Sequence, residues 1–372
     1  MKILANKHLY RIKEFFPDNA DLQLFDPERL PDNAPACDAL LINTTTAINQ
    51  STLPDPGNIK IIATGSSGHD HVDVDYLEST GVQFEAASGC NAQSVAEYVI
   101  TAILCHAFEQ QISLKELNVG IAGCGHTGSA VAKLLDNFSI SKTLYDPPRQ
   151  NREPGFKSAL FEQFAECNVL TFHTPYTTSG TYPTKYLLNE SWFKGKKYEL
   201  IINAARGGVV NEELLAISRR SGNVKAVVLD VWENEPLFND RIANICRFAT
   251  PHIAGYSVQS KFRASKIIAE AVCRKLGLKP LKPITPEPLI LNEEELIDLT
   301  FPEFLTNLHS IKKYHELFID ISGKNADQKR EAFYQLRTDF PLRYEYSAIR
   351  VPYRIAEKFT QLEKLGCKIQ DQ

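Results

Sequence analysis

What the sequence lacks narrows its function before any motif is read. No stretch of the 372 residues stays apolar long enough to cross a bilayer, and the opening MKILANKHLYRIKEFF has no uninterrupted apolar core of the kind a secretion signal needs. A cytoplasmic protein without a membrane partner is expected. Basic runs are missing too, and with a formal net charge of −4 the chain is not built to take nucleic acid as its main partner. Cys37, Cys90, Cys105, Cys124, Cys167, Cys246, Cys273 and Cys367 show neither C-x-x-C nor zinc-finger spacing, so reduced, mostly buried thiols are expected. His69-Asp70-His71-Val72-Asp73 crowds metal-ligating types together, but no second cluster lies near it in sequence. Caps and turn hydrogen bonds use the same residues, and no metal is expected.

What is present is organised around Leu117 to Asp146. Val119 and Ile121 alternate as in a buried strand, and Gly123, Gly125 and Gly128 form G-x-G-x-x-G where that strand turns into a helix. In such a motif one glycine makes a tight turn, one lets a pyrophosphate approach the backbone, and one permits close helix–strand contact. Val131, Leu134, Leu135 and Phe138 then repeat as the apolar stripe of a helix lying on a sheet. A second strand, Lys142 to Tyr145, delivers Asp146, which follows Gly128 by 18 residues. That is close to the offset of about 20 residues at which a carboxylate meets the adenosine ribose. Its charge would repel a 2′-phosphate, so NAD is favoured over NADP, and Arg149 nearby reads as a surface residue.

The remainder alternates in the manner of an α/β protein. Lys2–Ala5, Leu22–Phe25, Ala39–Ile42, Lys60–Ala63 and Val82–Ala86 are short strand-like runs. Hydroxyl-rich loops follow the third and fourth, at Asn43–Thr46 and Thr64–Gly68, where an open parallel sheet places its ligands; ordinary turn chemistry accounts for them equally well. Ser94-x-x-Glu97 reads as a capping box opening a helix through Phe108, with Val95, Val99 and Ile103 on one face. Further strands are expected at Val169–His173, Leu200–Ala204, Ala226–Leu229 and Arg247–Thr250, and a helix at Glu212–Ser218, completing a six-stranded doubly wound sheet. A helical stretch, Ser257 to Leu276, precedes four prolines in the nine residues 280–288, which make a linker. Beyond it lies an aromatic-rich tail with an acidic helical start at Glu293–Leu296.

Three polar residues follow strand ends in the second half: Arg206 in INAARGGVV, Glu235 in LDVWENEP and His252 in ATPHIAGY. A guanidinium offers a planar fork to a carboxylate, an imidazole exchanges a proton near neutrality, and a carboxylate orients the imidazole. Oxidising a secondary alcohol beside a carboxylate needs these functions and a hydride acceptor.

With these residues in view, the chain resembles the D-isomer-specific 2-hydroxyacid dehydrogenase family over roughly residues 38–275, through GCNAxxVAEY at 89–98, GIAGCGHTG, FHTP at 172–175, INAARG, VVLDVWENEP and PHIAGY. SGHDHVD at 67–73, LYDPPR at 144–149, FxxLR at 333–337 and RxEYS at 343–347 point to a branch with a C-terminal extension. The resemblance implies an α/β architecture. A flavodoxin-like substrate domain over 1–93 would be completed by helix 257–278, a doubly wound dinucleotide-binding domain would span 94–256, and a small α+β domain over 289–372 would pair two copies into a homodimer. It implies Arg206 holding the substrate carboxylate, His252 as acid–base and Glu235 supporting it. Thr44, Ser66 and Tyr256 are placed at the substrate, a small phosphorylated 2-hydroxy acid. Gly123, Gly125, Gly128, Asp146, Thr174, Asp230 and Gly255 are placed at NAD.

Asn43 and Ser66 depart from the residues common in relatives, a basic residue and a threonine, and His126 inside the glycine loop has no assigned part. Such a substrate needs more positive charge than Arg206 provides, and Arg337 or Arg343 in the tail is expected to supply it. The rival readings are a dehydrogenase of another D-2-hydroxy acid, such as 3-phosphoglycerate or glycerate, and an NAD-sensing corepressor-like binding module.

Overall fold

The computed structural model describes residues 1–26, 30–193 and 195–370. They form two compact units, residues 1–91 with 257–287, and residues 92–256 with 288–372. In the first unit, β1 (Lys2–Asn6), β2 (Asp21–Phe25), β3 (Ala39–Ile42), β4 (Ile61–Thr64) and β5 (Gln83–Ala86) make a parallel sheet in the order β2-β1-β3-β4-β5. This is the flavodoxin-like order. β3 and β4 are buried along their whole length, which is why ALLI and IIAT read as continuous apolar runs rather than alternating ones. The helix Val258–Leu276 packs Ile268, Ala269 and Val272 with one face of the sheet, and Val72 and Leu77 pack with Leu40 and Ile62 on the other. The His69–Asp73 stretch is used in turns. Asp73 caps Val74–Ser79 by accepting the Tyr76 N–H at 3.0 Å, and His71 Nε2 lies 3.0 Å from Thr64 Oγ1, where burial pushes its pKa down to about 4.

In the second unit, β6 (Asn118–Ala122), β7 (Ser141–Tyr145), β8 (Val169–Phe172), β9 (Leu200–Asn203), β10 (Val227–Leu229) and β11 (Phe248–Ala249) are parallel in the order β11-β10-β9-β8-β6-β7. The order reverses at β6, the topological switch point at which such sheets take their ligands, and the glycine loop leaves from that strand. The tail adds a small parallel sheet, β12 (Leu289–Ile290), β13 (Ile349–Val351) and β14 (Lys368–Ile369). It also adds the helices Phe301–His309, Ile311–Asp320 and Ala326–Thr338. It packs through aromatics: Phe301 meets Phe108 with ring centroids 4.9 Å apart, and Phe318 stacks on Trp232 at 4.9 Å and Phe238 at 4.1 Å.

Four sequence expectations are corrected here. Ser94 and Glu97 are not a capping box, because the helix starts at Ala92 and both residues are buried inside it. The Ser94 hydroxyl donates to Glu345 at 2.7 Å, while Glu97 accepts from Arg343 at 2.8 Å, Gln93 at 3.0 Å and the Tyr346 N–H at 3.1 Å. Nor does the helix have a single apolar face, since it is buried from Ser94 to Ala107. Glu293–Leu296 forms only a turn. The first tail helix starts after Thr300, whose hydroxyl and the Glu303 carboxylate cap each other's backbone at 3.4 and 2.8 Å, and Pro302 favours that first turn. Finally, Arg343 is not available to a substrate. Its side chain is 4 % exposed, paired with a fully buried Glu97 and donating to the Ser94 carbonyl at 2.6 Å.

A buried ion pair that loses one partner leaves the other charge unsolvated, so Arg343→Ala should cost roughly 3–5 kcal/mol of stability. Arg354→Ala, removing an exposed pair with Glu293, should cost about 0–1 kcal/mol. Equilibrium unfolding in denaturant, run on both variants, measures the contrast.

Candidate active site

The glycine loop is shaped by close approach. Gly123 has φ +84, and a side chain there would strike the His173 carbonyl at 2.7 Å; one at Gly128 would lie 2.0 Å from the Gly123 oxygen. A Cβ on Gly125 would meet nothing within 4 Å. Gly125 also precedes the helix His126–Asn137, so unsatisfied backbone N–H groups of the first turn open on the accessible side of the loop. His126 is the first residue of that helix and is exposed.

Asp146 stands at the end of β7, beside this loop. Its Oδ2 accepts the Cys124 N–H at 2.8 Å and its Oδ1 the Arg149 N–H at 2.9 Å, which ties the end of one strand to the loop leaving the other. Arg149 has partners of its own, donating to the Cys124 carbonyl of the glycine loop at 2.5 Å and to Glu153 at 2.7 Å while lying over the Phe156 ring. Next to Gly123, the Thr174 hydroxyl is buried without a hydrogen-bond partner. A buried hydroxyl without a partner is costly. An open glycine turn, a helix N-terminus, a half-buried carboxylate and that hydroxyl together suit a dinucleotide.

Arg206, Glu235 and His252 lie on the loops after β9, β10 and β11, three neighbouring strands. Those loops are fastened to one another. Gly207 has no room for a side chain, since a Cβ would come within 1.9 Å of the Trp232 carbonyl. The Glu212 carboxylate accepts the Glu233 N–H at 2.6 Å, and the Glu233 carboxylate accepts the Glu212 N–H at 3.2 Å. Burial raises Glu212 to about 8. Arg206 is half-buried, its Nη1 donating to the Ala205 carbonyl at 2.7 Å.

His252 has φ 59, a left-handed conformation that a non-glycine residue holds only when its surroundings require it. The requirement comes from Asp230, which is 1 % exposed. Its Oδ1 accepts the Thr250 hydroxyl at 2.7 Å and the Ile253 N–H at 2.8 Å, and its Oδ2 accepts the Ala254 N–H at 2.9 Å. Gly255, half-buried, follows directly. So held, His252 sets Nδ1 2.7 Å from Glu235 Oε1. Burial alone would push the Glu235 carboxyl up, but the His252 charge and hydrogen bond, with Arg337 adding to them, bring it below the usual carboxylate range. A carboxylate can only accept, so Nδ1 carries the proton and Nε2 is left to exchange one. The two side chains are 31 % and 28 % exposed, open enough for a reactant to arrive.

Tyr256 belongs to the same group of loops, its hydroxyl accepting from Arg337 Nη2 at 3.1 Å. In the other unit, Thr44 is exposed on the loop after β3, and the Ser66 hydroxyl, after β4, donates to the Gly68 carbonyl at 2.8 Å. Asn43 is used locally, its Oδ1 accepting from the backbone and hydroxyl of Thr45 at 3.1 and 2.6 Å. Two supports escaped the sequence reading. Tyr98 meets Thr250 Oγ1 at 2.8 Å, and Trp232 Nε1 donates to the Thr250 carbonyl at 2.9 Å. Thr250 was in view within ATPHIAGY, but its partners lie far off in sequence.

Residues 101–254 match the model of the D-isomer specific 2-hydroxyacid dehydrogenase NAD binding domain. The erythronate-4-phosphate dehydrogenase of Marinobacter nauticus is 32 % identical, with 97 % of each chain covered. That of Cronobacter sakazakii is 34 % identical, with 98 % of each covered. Among solved structures, a Thermus thermophilus protein aligns with TM-score 0.63 at 22 % identity, over 76 % of this chain and 100 % of that one. The D-lactate dehydrogenase of Aquifex aeolicus, complexed with NAD and lactic acid, aligns with TM-score 0.59 at 22 % identity, over 74 % of this chain and 96 % of its own. These two speak for the fold.

NAD is the cofactor that this domain takes, and Asp146 should enforce the choice. Asp146→Asn, which keeps an oxygen for Cys124 or Arg149 but drops the charge, should narrow the preference for NAD over NADP by about 10-fold. Initial rates with each cofactor measure the ratio. By its matched NAD binding domain and by relatives that align with it from end to end, the chain belongs to the erythronate-4-phosphate dehydrogenase family, a branch of the NAD-dependent D-2-hydroxyacid dehydrogenases.

Proposed function

We propose that the enzyme oxidises the C2 hydroxyl of 4-phospho-D-erythronate to 2-oxo-3-hydroxy-4-phosphobutanoate, a step toward pyridoxal 5′-phosphate. The observation that carries the reading is the His252–Glu235 pair, fixed at strand ends beside a dinucleotide loop. The relatives that bear this activity in their names align over the tail as well as the sheet, which favours them over dehydrogenases of glycerate or 3-phosphoglycerate. The names of those relatives also favour an enzyme over a purely sensing module.

In this reading His252 starts neutral, its Nδ1–H held by Glu235, and Nε2 takes the proton of the C2 hydroxyl. As the imidazole becomes a cation, the Glu235 carboxylate stabilises it across 2.7 Å. Arg206 fixes the substrate carboxylate and steadies the oxygen as it becomes a carbonyl. NAD, when bound, accepts the hydride from C2. Gly123, Gly125, Gly128, Asp146 and Thr174 form its seat, and Asp230 acts by holding the loop that carries Ile253, Ala254 and Gly255. Thr44, Ser66 and Tyr256 are assigned to the substrate.

We further take the protein to be a cytoplasmic homodimer. Among the described residues no helix is long and apolar enough to cross a membrane. The tail exposes Ile290 at 59 % and Tyr353 at 49 % relative accessibility, apolar surface suited to a second copy.

A substrate panel with purified enzyme and NAD should show high turnover on 4-phosphoerythronate and little on glycerate or 3-phosphoglycerate. High turnover on either of the latter would replace the substrate, and no activity on any 2-hydroxy acid would favour a binding module. His252→Ala should cost roughly 100- to 10,000-fold in kcat/KM. Because the base must begin unprotonated and end protonated, oxidation should speed up as pH rises, and reduction of the keto acid should slow. In sedimentation, Ile290→Glu should shift the wild-type dimer toward monomer.

A further inference from the structure

A cation withdrawn from water is normally matched by an anion, and among the described residues Arg337 has no carboxylate within ion-pair distance. It lies in the last turn of the helix Ala326–Thr338, which places it against the catalytic loops. Its Nη2 donates to the Tyr256 hydroxyl at 3.1 Å, its Cζ is 5.9 Å from the centre of that ring, and its Nε is buried with no acceptor. After Tyr256, the group that acts on it most strongly is the Glu235 carboxylate, which is already engaged by His252 at 2.7 Å. Ile253, Tyr314 and Phe340 pack with Tyr256 and Leu336 into an apolar wall around this corner, so the charge has little water to lean on. The other tail arginine singled out in the sequence, Arg343, is spent on Glu97.

We infer that Arg337 is a substrate-binding residue that receives the second anionic group, the phosphate remote from C2, while Arg206 takes the carboxylate. The inference rests on the proposed phosphorylated 2-hydroxy acid and names the group that recognises its far end. A guanidinium offers neighbouring N–H donors in one plane, a match for two oxygens of a phosphate, and Nε here has no other use. The contact makes the tail part of the specificity machinery. An unphosphorylated acid leaves the half-buried Arg337 unmatched, and it is by such unpaired polar groups that sites reject an analogue.

The test compares 4-phosphoerythronate with D-erythronate in wild type, Arg337→Ala and Arg337→Lys, with NAD affinity measured separately by fluorescence titration. Arg337→Ala should raise KM for the phosphorylated substrate by about 10- to 100-fold, change kcat much less, and lower kcat/KM for erythronate by a clearly smaller factor. Arg337→Lys, which keeps the charge but not the fork, should fall between, and it carries the test should the alanine variant fail to fold. Inorganic phosphate should inhibit the wild type competitively against 4-phosphoerythronate and lose potency in both variants. Equal losses on the two substrates with NAD affinity intact, or undiminished phosphate inhibition, would overturn the assignment. Wild-type enzyme that turned over some other 2-hydroxy acid would instead count against the proposed substrate, and phosphate inhibition would then decide the role of Arg337 alone.

Discussion

The placing of the His252 loop hangs on the buried carboxylate of Asp230. Three donors from one short stretch, the Thr250 hydroxyl and the Ile253 and Ala254 N–H groups, converge on it. A chain that must serve all three turns back on itself at residue 252, and the histidine there takes a left-handed backbone at φ 59. That conformation is unfavourable for a β-carbon-bearing residue by roughly 1–3 kcal/mol and persists only where other contacts outweigh it. Its result is chemical. The imidazole lands on Glu235, which fixes the tautomer and leaves the outer nitrogen without the proton, as the proposed base requires. Burial raises the Asp230 carboxyl above its ordinary range, opposed by the nearby His252 charge and by those same hydrogen bonds. Tyr98 and Trp232 then pin Thr250 from behind, so that the position of the base is set by the core of the sheet rather than by a free loop.

The tail is built into the same compact unit as the dinucleotide sheet, and beside its aromatic packing two of its polar contacts differ in consequence. One is structural: Arg343, Glu345 and Tyr346 reach the buried helix Ala92–Glu109 at Glu97, Ser94 and Thr101. The other is at the site, where Arg337 meets Tyr256. The first contact anchors the tail, and the proposed anion contact at Arg337 needs such support, since a side chain that recognises a small anion must be held in place by its surroundings.

Much of this was legible in the sequence, for identifiable reasons. β6, the glycine turn and the following helix announce themselves because strand period, helix period and the spacing of glycines are local properties of the chain. Arg206, Glu235 and His252 stood out because each follows a strand, and the structure sets them on the loops after three adjacent strands. What failed was non-local. Ser94-x-x-Glu97 has the pattern of a capping box, but its partners lie about 250 residues away, at Arg343 to Tyr346, and the pattern cannot reveal them. Glu293–Leu296 looked helical on composition, yet the stronger cap at Thr300 starts the helix a few residues later. Arg337 and Arg343 looked alike as tail arginines. Only the fold distinguishes them, by giving a buried acid to one and withholding it from the other.

The account depends most directly on where the proton of the neutral His252 ring resides. Nitrogen-15 NMR of histidine-labelled enzyme, assigned with the His252→Gln variant and recorded at a pH where the ring is neutral, reads this without relying on turnover. The structure predicts the proton on Nδ1, donated to Glu235, with Nε2 bare. A proton found on Nε2 would leave no base facing the substrate and would contradict the mechanism.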